Sequence, residues 1–341
     1  MTRENNHGKS GRVLLFLPGK TNRKHTLQKK QRSRCRREQS TGNGWEQKRI
    51  LFRLLCFVIF AFSGAGLFGY GIYCLWQNAS TRSTQEKLQG IREEADISAQ
   101  DEIKLDENGL LVAGIEAVLA DIYRDMEAGA ENSEVPEILP KYRALYEINP
   151  DLEGWLAIDG TVIDYPVMQT MEDESYYLRL DFYGEPNKNG CLILDTDSIA
   201  GTGTKACDYV NGTAPSTNQI IHGHTMKSGE MFGNLEFYAD AEYGAEHNII
   251  CFDSLYEERK YELIAVFYSQ VYYESDNVFK YYKFFQADTQ EEFDDWYGNI
   301  KEMSLYDTGV TAQFGDEFIT LSCCSYHVED GRFVVVGKRV E

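Results

Sequence analysis

The chain has eight cysteines in 341 residues but no arrangement of them that would staple or chelate. Cys35 lies in a basic N-terminal arm, and Cys56 and Cys74 lie in an apolar run. That leaves Cys191, Cys207, Cys251, Cys323 and Cys324, an odd set at irregular spacing and so a poor disulfide framework. No CxxC and no His/Cys pair has zinc spacing, so neither a metal nor any other cofactor is expected. Positive charge is scarce beyond the start of the chain. Residues 1–53 hold 15 Lys and Arg against 3 Asp and Glu; the remainder holds 19 against 51. So acidic a remainder argues against nucleic acid or another polyanion as a partner.

The boundary between these two parts has no charge at all. "LLCFVIFAFSGAGLFGYGIYCLW", Leu54 to Trp76, is a run of 23 residues. As a helix rising about 1.5 Å per residue, it is long enough to cross about 30 Å of hydrocarbon. Tyr70, Tyr73 and Trp76 near its far end suit an interfacial aromatic belt. It is too long for a cleaved signal peptide, and no convincing small-residue cleavage site follows it. A retained, single-pass anchor in the cell membrane is therefore expected. "KKQRSRCRRE" and "KRILFR" place the N-terminus on the cytoplasmic side and the rest outside, and a basic cluster there is also drawn to anionic membrane lipid.

Four segments follow from composition: a basic arm (1–53), the anchor (54–76), a polar, partly helical stalk (77–134) and a compact domain (135–341). Within the stalk, Leu111, Ile115, Val118, Leu119 and Ile122 repeat at helical spacing. The compact domain is strand-rich, with "GCLILD", "NQIIHGH", "NIICFD", "KYELIAVFY", "EFITLSCC" and "RFVVVGKRV" as short β segments. One helix interrupts them at "DTQEEFDDWYGNIKEM", where Thr289 and Glu292 make a capping box and Phe293, Trp296, Tyr297 and Ile300 an apolar face. The expected fold class is mainly β, a barrel or strongly curved sheet with peripheral helices.

Chemistry concentrates at the adjacent thiols of "FITLSCC". Side chains alternate along a strand, so Ile319, Leu321 and Cys323 share one face and Thr320, Ser322 and Cys324 the other. The apolar set marks the core. Cys323 is then a packed small hydrophobe, and Cys324 ends the strand on the polar face, where a thiol can meet substrate. Seven residues, "SYHVEDG", separate it from the β run that begins at Arg332. A hairpin of that length sets the guanidinium beside the sulfur, where a fixed cation favours thiolate and its N–H fork suits an oxyanion; otherwise Arg332 is a plain strand-end charge. A nucleophilic thiol also needs a proton shuttle. His247 reads as a surface residue, while His222, His224 and His327 all remain candidates on spacing alone.

These motifs, taken in order, resemble the class B sortases, membrane-anchored cysteine transpeptidases of Gram-positive cell walls. The likeness spans roughly Pro140 to Val340. It is carried by "NPDLEGWLAIDGTVIDYPVMQ", "YYLRLDFYGEPNKNGCLILD", "NQIIHGHTMKSGEMFGNL", "NIKEMSLYDTGV", "TLSCC" as a TLxTC box and "GRFVVVGKRV" as an arginine strand. The resemblance implies a closed sortase-like β-barrel with Cys324 as nucleophile, His224 as the acid–base residue and Arg332 beside the oxyanion. Ser322, Tyr326 and Thr320 become expected substrate contacts. It also implies as partners secreted proteins with a C-terminal sorting motif of the NPxTx type and the amine of a lipid-linked peptidoglycan precursor. The competing readings are a pilin-polymerising sortase with a Lys acceptor, a hydrolytic cysteine protease and a non-catalytic tethered binding or sensor domain. Three departures from the family stand out: Cys323 where Thr is usual, His222 where Tyr is usual, and a long Gly/Thr-rich loop, "SIAGTGTKACDYVNGTAPST".

Overall fold

The computed structural model describes residues 42–109, 136–202 and 213–341. The basic arm up to residue 41, the 111–122 helical pattern, Cys35, and Cys207 within the Gly/Thr-rich loop lie outside the described residues. The first helix, α1, runs Gly42–Gly109, and its part Lys48–Ala99 contains a window long and apolar enough to cross a membrane. The chain divides into two units at Ala65/Gly66. Within the first, the apolar side chains of α1 from Ile50 to Phe62 point outward.

The second unit, from Gly66 to Glu341, is built on eight strands. They are β1 (Leu152–Ala157), β2 (Asp164–Met168), β3 (Leu192–Leu194), β4 (Asn218–Gly223), β5 (Ile249–Ser254), β6 (Lys260–Gln270), β7 (Phe318–Cys324) and β8 (Gly331–Arg339). They close into a barrel in the order β1-β2-β3-β4-β7-β8-β6-β5. Closure leaves no free sheet edge. Around the barrel lie α2 (Pro140–Ile148), α3 (Ala241–Glu246) and α4 (Gln290–Met303).

Two apolar layers sandwich β7. Ile319, Leu321 and Cys323 point into the barrel among Leu156, Val167, Ile221, Val266 and Val335. Phe318 points the other way, into a second cluster with Phe293, Trp296 and Ile300 of α4. That helix is fixed at its start by a complete capping box: Thr289 Oγ1 accepts from the Glu292 amide, and Glu292 Oε2 accepts from the Thr289 amide at 3.1 Å. It carries the chain from β6 to β7, which are parallel and separated in the sheet by β8, as a crossover requires.

The segment of α1 just beyond the apolar run differs from the polar stalk its composition suggests. It packs on the barrel as part of the second unit. Leu88 is buried with Leu145, Trp155, Met168 and Phe182, worth about 2 kcal/mol for a side chain of that size. Asp164 at the start of β2 collects Gln89 Nε2 at 2.6 Å, Arg92 at 3.1 Å and Trp155 Nε1 at 2.6 Å, while the Arg92 guanidinium stacks 4.5 Å from the Trp155 ring.

Candidate active site

The hairpin between β7 and β8 brings the expected cysteine and arginine together. Cys324 is the last residue of β7 and is exposed, whereas the six residues before it are buried. In the antiparallel register its partner is Arg332. The turn closes through Ser325 N–H to the Gly331 carbonyl at 2.9 Å, with Asp330 at φ 52, a left-handed conformation that Asp tolerates better than most residues. The Arg332 guanidinium donates to the carbonyls of Gly331 (3.0 Å) and Asp330 (3.3 Å) and has no carboxylate partner among the described residues. Its charge is therefore held in place without being neutralised.

The two thiols are unlike. Cys323 is 2 % exposed, inside the barrel, and burial pushes its thiol up to about 12. The pleat argument thus holds for the pair, but the face shared with Cys324 is not a solvent face, and two of the expected substrate contacts are buried in it. Ser322 is buried with its hydroxyl 2.7 Å from Tyr281 OH, and Thr320 is buried donating to Asn218 Oδ1 at 2.8 Å. The physical reason is what lies over that face: α4 packs on Phe318 at its start, Asn218 of β4 meets Thr320, and Tyr281 meets Ser322. Cys324 emerges, Ser325 after it is buried again, and Tyr326 further into the loop is exposed.

β4 runs parallel to β7 with Gly223 opposite Cys323, so the next residue, His224, leaves the sheet beside Cys324. Gly223 has no room for a side chain; a Cβ there would lie 2.4 Å from Phe232 and 2.6 Å from Leu192. Thr225 donates its hydroxyl to the Cys324 carbonyl, joining the two strand ends. The Nε2 of His224 lies 2.9 Å from the Leu178 carbonyl. A carbonyl only accepts, so Nε2 carries the proton and, in the neutral ring, Nδ1 keeps the free lone pair.

The other histidines are engaged elsewhere. His222 Nε2 is 3.0 Å from Asp195 Oδ2 and 3.7 Å from Glu174 Oε1. The ligand-capable atoms of these three residues lie within 4.8 Å of one another, the only such trio among the described residues. His327 Nδ1 is 3.1 Å from Ser325 Oγ, which donates its proton to Glu236, and its ring packs 4.7 Å from Tyr268. His247 Nδ1 lies 2.9 Å from the Asp159 carbonyl. Sequence reasoning missed the Leu178 carbonyl, which as backbone leaves no signature, and Thr225, whose position directly after His224 was the available signal.

No family model matches the chain. Among characterised proteins it is similar to sortase B of Listeria monocytogenes, 32% identical over 206 residues that cover 60% of this chain and 76% of that protein. Sortase B of Staphylococcus aureus is 28% identical over the same shares. Among solved structures, a Bacillus anthracis protein described as similar to sortase B superimposes with a TM-score of 0.50 at 30% identity, covering 62% of this chain and 87% of that one.

Proposed function

The chain belongs to the class B sortases, and from that premise we propose that it is a membrane-anchored cysteine transpeptidase acting through Cys324, His224 and Arg332. The observation that carries this reading is the convergence of three strand ends. Cys324, exposed at the end of β7, is paired in register with Arg332, which has no carboxylate partner among the described residues, and β4 ends at Gly223 opposite Cys323, one residue before His224.

In this mechanism the Cys324 thiol passes its proton to Nδ1 of His224, the resulting thiolate attacks the carbonyl after the Thr of an NPxTx-like sorting motif, and the carbonyl π pair moves onto oxygen. The remaining N–H groups of Arg332 stabilise that oxyanion. Collapse expels the amine, which takes a proton from His224, and leaves a thioester on Cys324. An incoming amine, deprotonated by the same imidazole, then attacks the thioester and releases the thiolate. The acceptor is the amine of a lipid-linked cell-wall precursor, and the donor is a secreted protein carrying the motif near its C-terminus. Tyr326, exposed beyond Cys324, is the sequence-expected contact left at the surface for substrate.

The domain assignment belongs to the same proposal. Residues 1–53 are a cytoplasmic arm, 54–76 the span, 77–134 a polar, partly helical stalk and 135–341 an extracellular catalytic domain. Anchoring enzyme, donor and lipid-linked acceptor to one surface raises their effective concentration. The test is to incubate the full chain in detergent micelles with a randomised pentapeptide library and several amines, reading cleavage site and adduct by mass spectrometry. Cleavage after a Thr within NPxTx with transfer to amine supports the proposal. Free acid as the sole product despite abundant amine indicates a hydrolase instead, and no cleavage at all indicates a binding domain.

A further inference from the structure

Two chains of contact lead outward from His224, and both end on α1. The first begins at the Leu178 carbonyl that orients Nε2. Leu178 closes a short 3-10 turn, Tyr176–Leu178, and the segment 187–191 lies directly against it. Cys191 N–H donates to the Tyr177 carbonyl at 3.0 Å, and Asn187 N–H to the Arg179 carbonyl at 2.9 Å. At Gly190, with φ +61, an added Cβ would sit 2.6 Å from the Leu178 oxygen. This segment is gripped from its other side by α1. Asn187 Nδ2 and Asn189 Nδ2 each lie 3.0 Å from Thr81 Oγ1, and Lys188 N–H donates to Gln77 Oε1 at 3.0 Å. Gln77, Thr81, Asn187 and Asn189 are all buried, so water does not replace these bonds readily.

The second chain follows the loop after His224. Phe232 N–H donates to the His224 carbonyl at 3.1 Å, and two residues earlier stands Glu230, whose side chain is 5 % exposed. Its Oε1 accepts from Arg82 Nε at 2.8 Å and lies 2.6 Å from the terminal Arg82 nitrogen; no other cation pairs with it among the described residues. Thr81 and Arg82 are consecutive, so one turn of helix holds both sides of the histidine's cradle.

We propose that α1 positions the catalytic histidine: Thr81 through the 187–191 shelf and the Leu178 carbonyl, Arg82 through Glu230. Thr81 and Arg82 are positioning residues, and the helix that continues from the apolar run is part of the active apparatus rather than a tether. This inference rests on His224 being the acid–base residue. A third grip of the same helix serves as an internal control, because Gln89 holds the Asp164 carboxylate, whose hydrogen bonds among the described residues go to Gln89, Arg92 and Trp155 and not toward His224.

The test compares Thr81→Val, Thr81→Ser, Arg82→Met, Gln89→Ala and His224→Ala in the full chain in detergent micelles. The readouts are kcat, KM and the pH profile of kcat/KM on a cleavable sorting peptide, together with the thermal midpoint. Thr81→Val and Arg82→Met are expected to lower kcat about tenfold, as small misplacements of a reacting group do, with KM little changed and the pH profile displaced. Thr81→Ser keeps the hydroxyl and restores wild-type kinetics, while Gln89→Ala lowers only the thermal midpoint. If Arg82→Met does not fold, the isosteric Thr81→Val against Thr81→Ser decides. The inference is overturned if folded Thr81→Val retains wild-type kcat and pH profile, or if Gln89→Ala loses kcat equally. Full turnover in His224→Ala overturns instead the underlying reading of the site.

Discussion

The contrast between the two neighbouring thiols gives a quantitative prediction. Burial raises the Cys323 thiol from 9.0 to about 12, so at pH 7.5 about 3 in 100,000 molecules carry its thiolate, against about 3 in 100 for an unperturbed thiol. That is a thousandfold deficit before access is considered, and the sulfur sits in a residue 2 % exposed inside the barrel. Iodoacetamide, which reacts with thiolate, should therefore label Cys323 in the native full chain at least about a thousandfold more slowly than in denaturant, while the exposed Cys324 is labelled readily in the native state. Peptide mapping by mass spectrometry over a time course separates the two rates. In denaturant the two sites should react alike. Native labelling of Cys323 within about tenfold of Cys324 would refute the face assignment, since it requires either an open barrel end or an inverted register.

Replacing Arg332 by Lys keeps the charge but removes the planar fork, so kcat/KM should fall at least about tenfold; near-unchanged turnover would remove Arg332 from the oxyanion role. Cys324→Ala should abolish peptide cleavage, whereas Cys323→Ala should keep most of it and cost about 1 kcal/mol of stability in urea titration. Burial, with the neighbouring Asp151 charge, raises the Glu153 carboxyl from 4.5 to about 7. The folded value lies above the unfolded one, so the associated stability is present below pH ~4.5 and is lost as pH rises through about 7. Glu153→Gln should flatten that dependence, a difference of at most about 3 kcal/mol between urea midpoints at pH 4.5 and 8. Gly190→Ala combines a left-handed backbone with a close approach to the Leu178 carbonyl, so a loss of about 1–3 kcal/mol in thermal stability should accompany lower turnover.

Much of the site was legible because it rests on strand alternation and hairpin length. "FITLSCC" separated Cys323 from Cys324, and seven loop residues set Arg332 opposite the latter, as the register has it. Choosing among the histidines took more than spacing. The family resemblance singled out His224, and the structure adds that β4, which ends one residue before it, lies parallel to β7, a pairing between strands about a hundred residues apart that no local pattern encodes. Thr320 and Ser322 are buried although their polarity suggests an open face, because alternation tells which residues share a face, not what covers it. Here Asn218 and Tyr281 meet the two hydroxyls that polarity marks as open, and α4 packs on Phe318 of the same face. The helix after the apolar run was hidden for a related reason. Gln77, Thr81, Gln85 and Gln89 read as solvent-facing, yet they meet polar groups of the domain, and polar contacts leave no hydrophobic periodicity.

The most direct test of the central claim is the mass of the intact full chain after mixing with an NPxTx-type peptide in the absence of any amine. The account predicts a gain equal to the peptide's acyl fragment, mapped to Cys324, absent in Cys324→Ala and discharged as an amide when amine is added. An acyl group on Cys323, or cleavage with no covalent adduct at any time point, would contradict it.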